Sequence, residues 1–327
     1  MLGVELYAPL SIGYATYPYD ASDIDSLMRG ADRAMYEAKD QGGGRFATCG
    51  QMRDRPGDDR FALETQLRGA LERDELDVYY QPIVDCDGRT IALEALVRWH
   101  HPQLGLVGPD RFVPIAEQAG LIHALGSFVL CRATTFVRTL QTGRHADLRL
   151  AVNVSSHQFR DPAYCTSVRD SLARTHFDAG LLDLEITEST VMHDVESAIA
   201  TMQELKAMRV RISIDDFGTG FSSLASLRRF PIDTLKIDRS FVSELPTNAI
   251  DVAIVESIVA LGRNLKLHVV AEGIETAEQY EMLVAQRCGE LQGYFFSRPM
   301  PAADVAGWLA RRPANAGSHQ AQFSLAG

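Results

Sequence analysis

The chain has 327 residues, 46% hydrophobic and 23% charged, with a formal net charge of −11. That size and balance suit one large or two ordinary globular domains and exclude wholesale disorder. The acidic surplus argues against a nucleic acid duplex as partner, because such binding needs Lys and Arg to neutralise phosphates; a smaller phosphate compound stays open if a bound cation supplies local positive charge.

No stretch is long and apolar enough for a transmembrane helix, and no basic-then-apolar leader is seen. No membrane contact is expected within the chain. Its five cysteines (Cys49, Cys86, Cys131, Cys165 and Cys288) are widely spaced and form no C-x-x-C pair, so free thiols in a reducing compartment are expected. The expected location is the cytoplasm, either as a free domain or as the cytoplasmic output part of a longer membrane-bound sensor.

Residues 1–50 predict a strand over 9–17, a helix over 24–39 with Leu27, Ala31, Ala34, Met35 and Ala38 on one stripe, and a short strand over 45–48. One β-α-β piece of this size buries too little surface to stand alone; it reads as the closing part of a larger domain. Residues 51–59, with Pro56 and Gly57, read as a linker, and a helix is predicted over 60–73.

From residue 77 onward strands and helices alternate. Strands are predicted over 78–84, 91–99, 148–154, 182–187, 210–215, 234–237, 268–271 and 291–296, and helices over 121–140, 161–175, 190–208, 249–263, 276–286 and 302–311. Eight strands with interleaved helices match an α/β fold of the (β/α)8 barrel type over 60–312. Only 85–89 separates the first two strands, too short for a parallel crossover, so the first strand is predicted antiparallel to the rest. Residues 313–327 are poor in large apolar side chains and are expected to form a disordered tail.

In such a barrel the chemistry sits at the carboxyl ends of the strands. Polar residues fall there in strand after strand: Glu94 with Leu96 and Arg98 on the same side, Asn153, Glu185 with Glu188 just beyond, Lys236 with Asp238, Glu272 with Glu275, and Gln292 at the opening of the last strand. The fifth strand ends in the adjacent carboxylates Asp215 and Asp216, followed by Gly218 and Gly220, whose freedom is expected to let the backbone twist out of the pleat. Acids crowded at one rim with a single lysine are tolerable only if cations neutralise them. Oxygen donors from carboxylates and an amide suit Mg²⁺ or Mn²⁺ rather than zinc. Two such ions sharing a carboxylate would polarise a phosphoryl oxygen and activate water.

The run Glu94-Ala95-Leu96-Val97-Arg98 resembles the name-giving motif of the EAL family, phosphodiesterases of the bacterial messenger cyclic di-GMP. The resemblance extends through Gln81-Pro82-Ile83, Asn153-Val154-Ser155, Glu185 to Glu188, Asp215 to Gly220, Leu235 to Asp238, Ala271 to Thr276 and Gln292-Gly293-Tyr294. It implies a barrel with one antiparallel strand and metal-dependent hydrolysis of cyclic di-GMP to linear pGpG. It also implies roles. Glu94, Asn153, Glu185 and Asp215 resemble ligands of one metal, and Asp215, Asp216 and Glu272 of the second. Lys236 resembles the residue that contacts and helps deprotonate the attacking water, with Asp238 and Glu272 beside it in the catalytic group. Gln81, Leu96, Arg98, Asp238 and Gln292 resemble substrate contacts, and Glu188 and Glu275 the residues that position the loops. A homodimer coupled to the site through the loop 215–223 is a further implication, and inhibition by Ca²⁺ is expected from its larger, looser coordination. Phe221 stands where a tyrosine is usual and Val97 where leucine is common; neither loses a ligand. The alternative reading is a receptor that binds cyclic di-GMP without cleaving it.

Leu10-Ser11-Ile12-Gly13 and residues 31–39 resemble the closing segment of a GGDEF domain. Its signature loop is absent from the chain, so no cyclase activity is expected.

Overall fold

The computed structural model describes residues 10–21, 23–40, 45–48, 60–220 and 227–311. Residue contacts divide the chain into two units, 1–59 and 60–327. The expected linker 51–59 and tail 313–327 lie outside the described residues, as does Phe221.

In the first unit, β1 (Ile12–Tyr14) and β2 (Phe46–Thr48) pair in parallel, with α1 (Ile24–Asp40) as the crossover. Asp23 starts the helix by accepting a hydrogen bond from Ser26 N at 2.8 Å, and Ala34 and Ala38 of the predicted stripe are fully buried. The strand is shorter than the 9–17 expected. Asp20 takes a hydrogen bond from Thr16 N at 2.7 Å and the chain turns over 17–20.

The second unit begins with α2 (Arg60–Ala70), which ends before the predicted residue 73. Its barrel strands are β3 (Leu76–Asp85), β4 (Thr90–His101), β6 (Arg149–Val154), β7 (Leu182–Thr187), β8 (Arg211–Phe217), β9 (Thr234–Ile237), β10 (His268–Ala271) and β11 (Glu290–Leu291). From β4 round to β11 every neighbour is parallel. The strand β3 is antiparallel to both β4 and β11 and closes the barrel, as the loop length predicts. Asp85 makes the tight turn possible: its Oδ1 accepts from Asp87 N at 3.0 Å and from Arg89 N at 2.9 Å, and Gly88 supplies a φ of +78°.

Period two decides what each strand offers the barrel interior. Leu150, Val152 and Val154 of β6, Leu182, Leu184 and Ile186 of β7, and Ile212 and Ile214 of β8 join the large apolar core. The alternating residues Ala151 and Asn153, Asp183 and Glu185, Ser213 and Asp215 therefore face inward. Ile83, Ala92, Ala151 and Val270 form a small apolar layer of their own, and the polar group of the carboxyl ends lies above it.

The helices depart from expectation in instructive places. The stretch 190–208 is two helices, α7 (Glu188–His193) and α8 (Val195–Ala207), because Asp194 breaks the run and caps the second by accepting from Ser197 N. The predicted helix over 161–175 starts at Tyr164, since Asp161 Oδ1 takes the amide of Ala163 at 2.9 Å and makes a turn first. Before α7 come α3 (Pro109–Gln118), α4 (Ile122–Leu140), α5 (Ser156–Phe159) and α6 (Tyr164–Thr175), and the short strand β5 (Gly105–Val107) pairs with β4; α3, β5 and a helix over Arg239–Ser243 fall outside the predicted elements. The last strand is the clearest correction. It spans Glu290–Leu291 rather than 291–296, and Gln292 follows it instead of opening it. Beyond Gln292 the chain turns: Phe295 N donates to Ile274 O, and Phe296 N and Ser297 N both reach Gly293 O. A side chain at position 293 would lie 2.0 Å from Ile274 O, so only glycine permits this approach.

Candidate active site

Strand register brings the predicted residues to one level. Asn153 pairs with Glu185 across β6 and β7, Glu185 with Ser213 and Thr187 with Asp215 across β7 and β8. Gln81 pairs with Glu94 across β3 and β4. Glu272 continues β10, its amide bonded to Ile237 O, and Gln292 N bonds Ala271 O.

Lys236 is the hub. Its side chain is fully buried, and its Nζ lies 2.7 Å from Glu185 Oε2, 2.5 Å from Glu272 Oε1 and 3.5 Å from Asp215 Oδ1. A strand-end lysine ordinarily reaches water; this one is held inside by carboxylates. Burial works against its charge, but Asp215, Glu185, Glu272 and Glu94 together outweigh burial and raise its pKa well above the ordinary value.

The acids show the opposite strain. Burial raises the Glu185 pKa well above the carboxylate range; Lys236 pulls it down, while Glu94, Asp215 and Glu272 push it up. Burial and the same kind of crowding put Glu272 at about 8. Burial, then Asp215 and Asp238, put Asp216 at about 6. Five acids (Glu94, Glu185, Asp215, Asp216 and Glu272) thus share one lysine.

Amides occupy the other side. Glu94 Oε1 accepts from Asn153 Nδ2 at 2.6 Å and its Oε2 from Gln292 Nε2 at 2.5 Å. Gln292 also reaches Gln81 Oε1 at 3.2 Å, and Gln81 Nε2 donates to Ser297 O at 3.1 Å. Glu94, Glu185, Gln81 and Gln292 are buried, whereas Asn153 is exposed and Asp215, Asp216 and Glu272 are intermediate. The group therefore has a dry base and a wet rim.

The twist that turns Asp216 out of the strand is at Asp216 itself, φ +54°, with Gly218 at +101°; Gly220 is not in the left-handed region. The pairing of β8 with β9 shifts register between Ile214 and Phe217 at the same point. Glu188, buried at the start of α7, accepts from Gly218 N at 2.9 Å. It also lies so close to Gly220 that an added Cβ would meet its Oε1 at 2.6 Å.

Arg98 is half-buried. Its Nη1 donates to Val97 O at 2.9 Å, its guanidinium lies 5.8 Å from the Tyr79 ring centroid, and burial lowers its pKa. Asp238 serves first as the cap of the helix α9 (Arg239–Ser243), accepting from Ser240 N and Ser240 Oγ. Glu275 pairs with Arg239 at 3.2 Å. Leu96 is half-buried on the Arg98 side of β4. Sequence reasoning missed Tyr79, which period two from Gln81 places on the same face, and Ser297, which contributes only a backbone carbonyl and leaves no side-chain signal.

Among the described residues no three His, Cys, Asp or Glu side chains close on one point as a metal would require; the lysine ammonium fills the middle of the acids instead. The donor set nevertheless suits a hard cation. It is all oxygen, it carries more negative charge than one lysine offsets, and Gln292 Oε1 is buried without a hydrogen-bond partner. Glu185 Oε2 and Glu272 Oε1 are buried with the Lys236 ammonium as their close partner.

A family model for the EAL domain matches residues 64–299. The chain belongs to the EAL domain family. A second model, for the diguanylate cyclase GGDEF domain, matches residues 2–45. The EAL chain is 45% identical over 302 residues to the bifunctional diguanylate cyclase/cyclic di-GMP phosphodiesterase MucR of Pseudomonas aeruginosa, covering 92% of this chain and 44% of MucR. It is 39% identical over 308 residues to the cyclic di-GMP phosphodiesterase NbdA of the same organism, covering 94% and 39%. The chain thus spans less than half the length of these relatives. Among solved structures, the P. aeruginosa MucR phosphodiesterase in complex with c-di-GMP superposes with a TM-score of 0.73 at 48% identity, covering 75% of this chain and 99% of that one. No described helix of the EAL chain is long and apolar enough to cross a membrane.

Proposed function

We propose that this EAL domain is a metal-dependent phosphodiesterase that hydrolyses cyclic di-GMP to linear pGpG. The observation that carries the reading is the group of five acids around one buried lysine, complete in every position that the family resemblance marks. The relatives' names support the substrate, and the superposition on a c-di-GMP complex supports its place.

Two Mg²⁺ or Mn²⁺ ions are the proposed cofactors, Glu94, Asn153, Glu185 and Asp215 holding one and Asp215, Asp216 and Glu272 the other. When bound, they neutralise the acids and polarise the phosphoryl group for attack by water. Gln81, Gln292, Leu96 and Arg98 line the approach; the Arg98 fork suits a phosphate. Lys236 Nζ orients the water as a charged donor, and the proton that leaves the water passes to the Glu272 carboxylate, whose Oε1 lies 2.5 Å from Nζ. Asp238 and Glu188 hold the backbone on either side. The same reading takes the protein as a cytoplasmic homodimer.

Lys236→Ala tests the assignment. A folded variant that releases pGpG at the parental rate would rule out the proton-handling pair.

A further inference from the structure

The loop that carries Glu272 is held from outside by a residue that no role above includes. Gly273 has φ +70°, and a Cβ built there would lie 2.4 Å from Arg239 Cγ, 2.8 Å from its Cβ and 3.1 Å from its Cδ. The aliphatic stem of Arg239 thus lies directly across Gly273. Its guanidinium continues over the turn to Glu275, with Nη2 3.2 Å from Oε1. Arg239 follows Asp238 and opens the helix α9 that Asp238 caps. One side chain therefore ties the end of β9, which bears Lys236, to the turn after β10, which bears Glu272.

The far side of that turn is fixed independently. Ile274 is fully buried, its amide donates to Gln292 O, and Gln279 Oε1 accepts from Glu275 N at 2.7 Å. The turn is seated between the Gln292 loop below and the Arg239 stem above.

We propose that Arg239 is a positioning residue for Glu272, acting through stem contact with Gly273 and the ion pair with Glu275. An exposed ion pair alone adds little to stability, and both partners here are largely exposed. The effect on global stability is therefore small, and the effect on the site is local. Partners that orient a ligating carboxylate typically change metal affinity or activity ~10–100-fold when removed. The inference rests on the proposed metal-dependent phosphodiesterase for its Mn²⁺ and activity arms and on the structure alone for the exchange arm.

The test compares the parent with Arg239→Ala, Arg239→Lys and Glu275→Gln in the full chain. Three quantities are read: Mn²⁺ affinity without nucleotide, amide hydrogen exchange of 272–275 in the metal-free protein, and kcat and KM for cyclic di-GMP. Arg239→Ala is expected to weaken Mn²⁺ binding and lower kcat ~10-fold, with KM within about twofold of the parent and faster exchange confined to 272–275. Arg239→Lys, which keeps a stem and a charge, is expected to recover most of the loss, and Glu275→Gln to fall between. Parental Mn²⁺ affinity and parental exchange in Arg239→Ala would overturn the proposal, as would a loss that appears only with a general fall in Tm. A parent that binds Mn²⁺ yet leaves cyclic di-GMP intact would sink the phosphodiesterase reading, and the exchange and Mn²⁺ arms would still judge Arg239.

Discussion

Lys236 Nζ lies 2.7 Å from Glu185 Oε2, and both side chains are 2% exposed. An ion pair so dry is tolerated because its partners are mutually dependent. Removing one partner of a buried pair costs about 3–5 kcal/mol, since the other charge is left uncompensated. Lys236→Ala is expected to melt earlier than the parent in EDTA and to lose ~100-fold or more in kcat, the range of positioned proton-transfer groups. Thermal unfolding and single-turnover rates check both halves. Equal Tm values would show that the lysine does not carry the acids.

The raised acids make the metal-free protein pH-sensitive. Burial and crowding move Glu272 from 4.5 to about 8 and Asp216 from 3.8 to about 6. The folded state therefore binds protons more tightly than the unfolded one. Their stabilising contribution is complete below about 4 and is lost as pH rises through about 6 for Asp216 and about 8 for Glu272. In EDTA, Tm is expected to fall from pH 5 to pH 8 relative to a Glu272→Gln variant. Metal binding at pH 7 is expected to release protons, visible as a binding heat that varies with buffer ionisation enthalpy. A heat independent of buffer would contradict this.

Glu188 holds the turn after Asp216. Its carboxylate accepts from Gly218 N at 2.9 Å while buried, and a hydrogen bond to a charged group contributes about 1.5–3 kcal/mol. Glu188→Ala is expected to lower kcat ~10–100-fold with a modest change in Tm, and Glu188→Gln to lose less. Steady-state kinetics on the two variants decide the point; identical losses would separate the carboxylate from the turn.

Calcium prefers longer, looser coordination than Mg²⁺ or Mn²⁺. Added to a Mg²⁺ reaction it is expected to inhibit without unfolding the chain. A rate with Ca²⁺ alone equal to that with Mg²⁺ would rule out a site built for the smaller ions.

If the loop 215–223 couples the site to a second copy, specific activity falls on dilution through the dissociation range. Activity measured against a sedimentation profile tests this, and a constant value from dimer to monomer would remove the coupling.

Much of this arrangement was legible because a strand's alternation is rigid. Asn153, Glu185 and Lys236 each follow an apolar neighbour by one step, so an inward-facing acid, amide or lysine can be assigned from the chain alone, and the five-residue turn at 85–89 forces an antiparallel first strand. What stayed hidden depends on contacts between distant segments. The sequence points to Gly218 and Gly220 for the twist, whereas the left-handed backbone falls on Asp216, φ +54°, and on Gly218. The early end of β11 follows from Gly293 pressing on Ile274, and a helix over Pro109–Gln118 is masked by Pro114 within it. Nothing in the sequence sets Arg239 apart until Gly273 is seen beneath its stem.

If divalent ions among these acids let the domain cut cyclic di-GMP, the nucleotide is consumed only while such ions are present. The most direct test is product analysis after incubating purified chain with cyclic di-GMP and Mn²⁺, with and without EDTA. The expected outcome is pGpG with Mn²⁺ and none with EDTA. Intact cyclic di-GMP in both, with the nucleotide bound tightly to the protein, would contradict it and leave a receptor in its place.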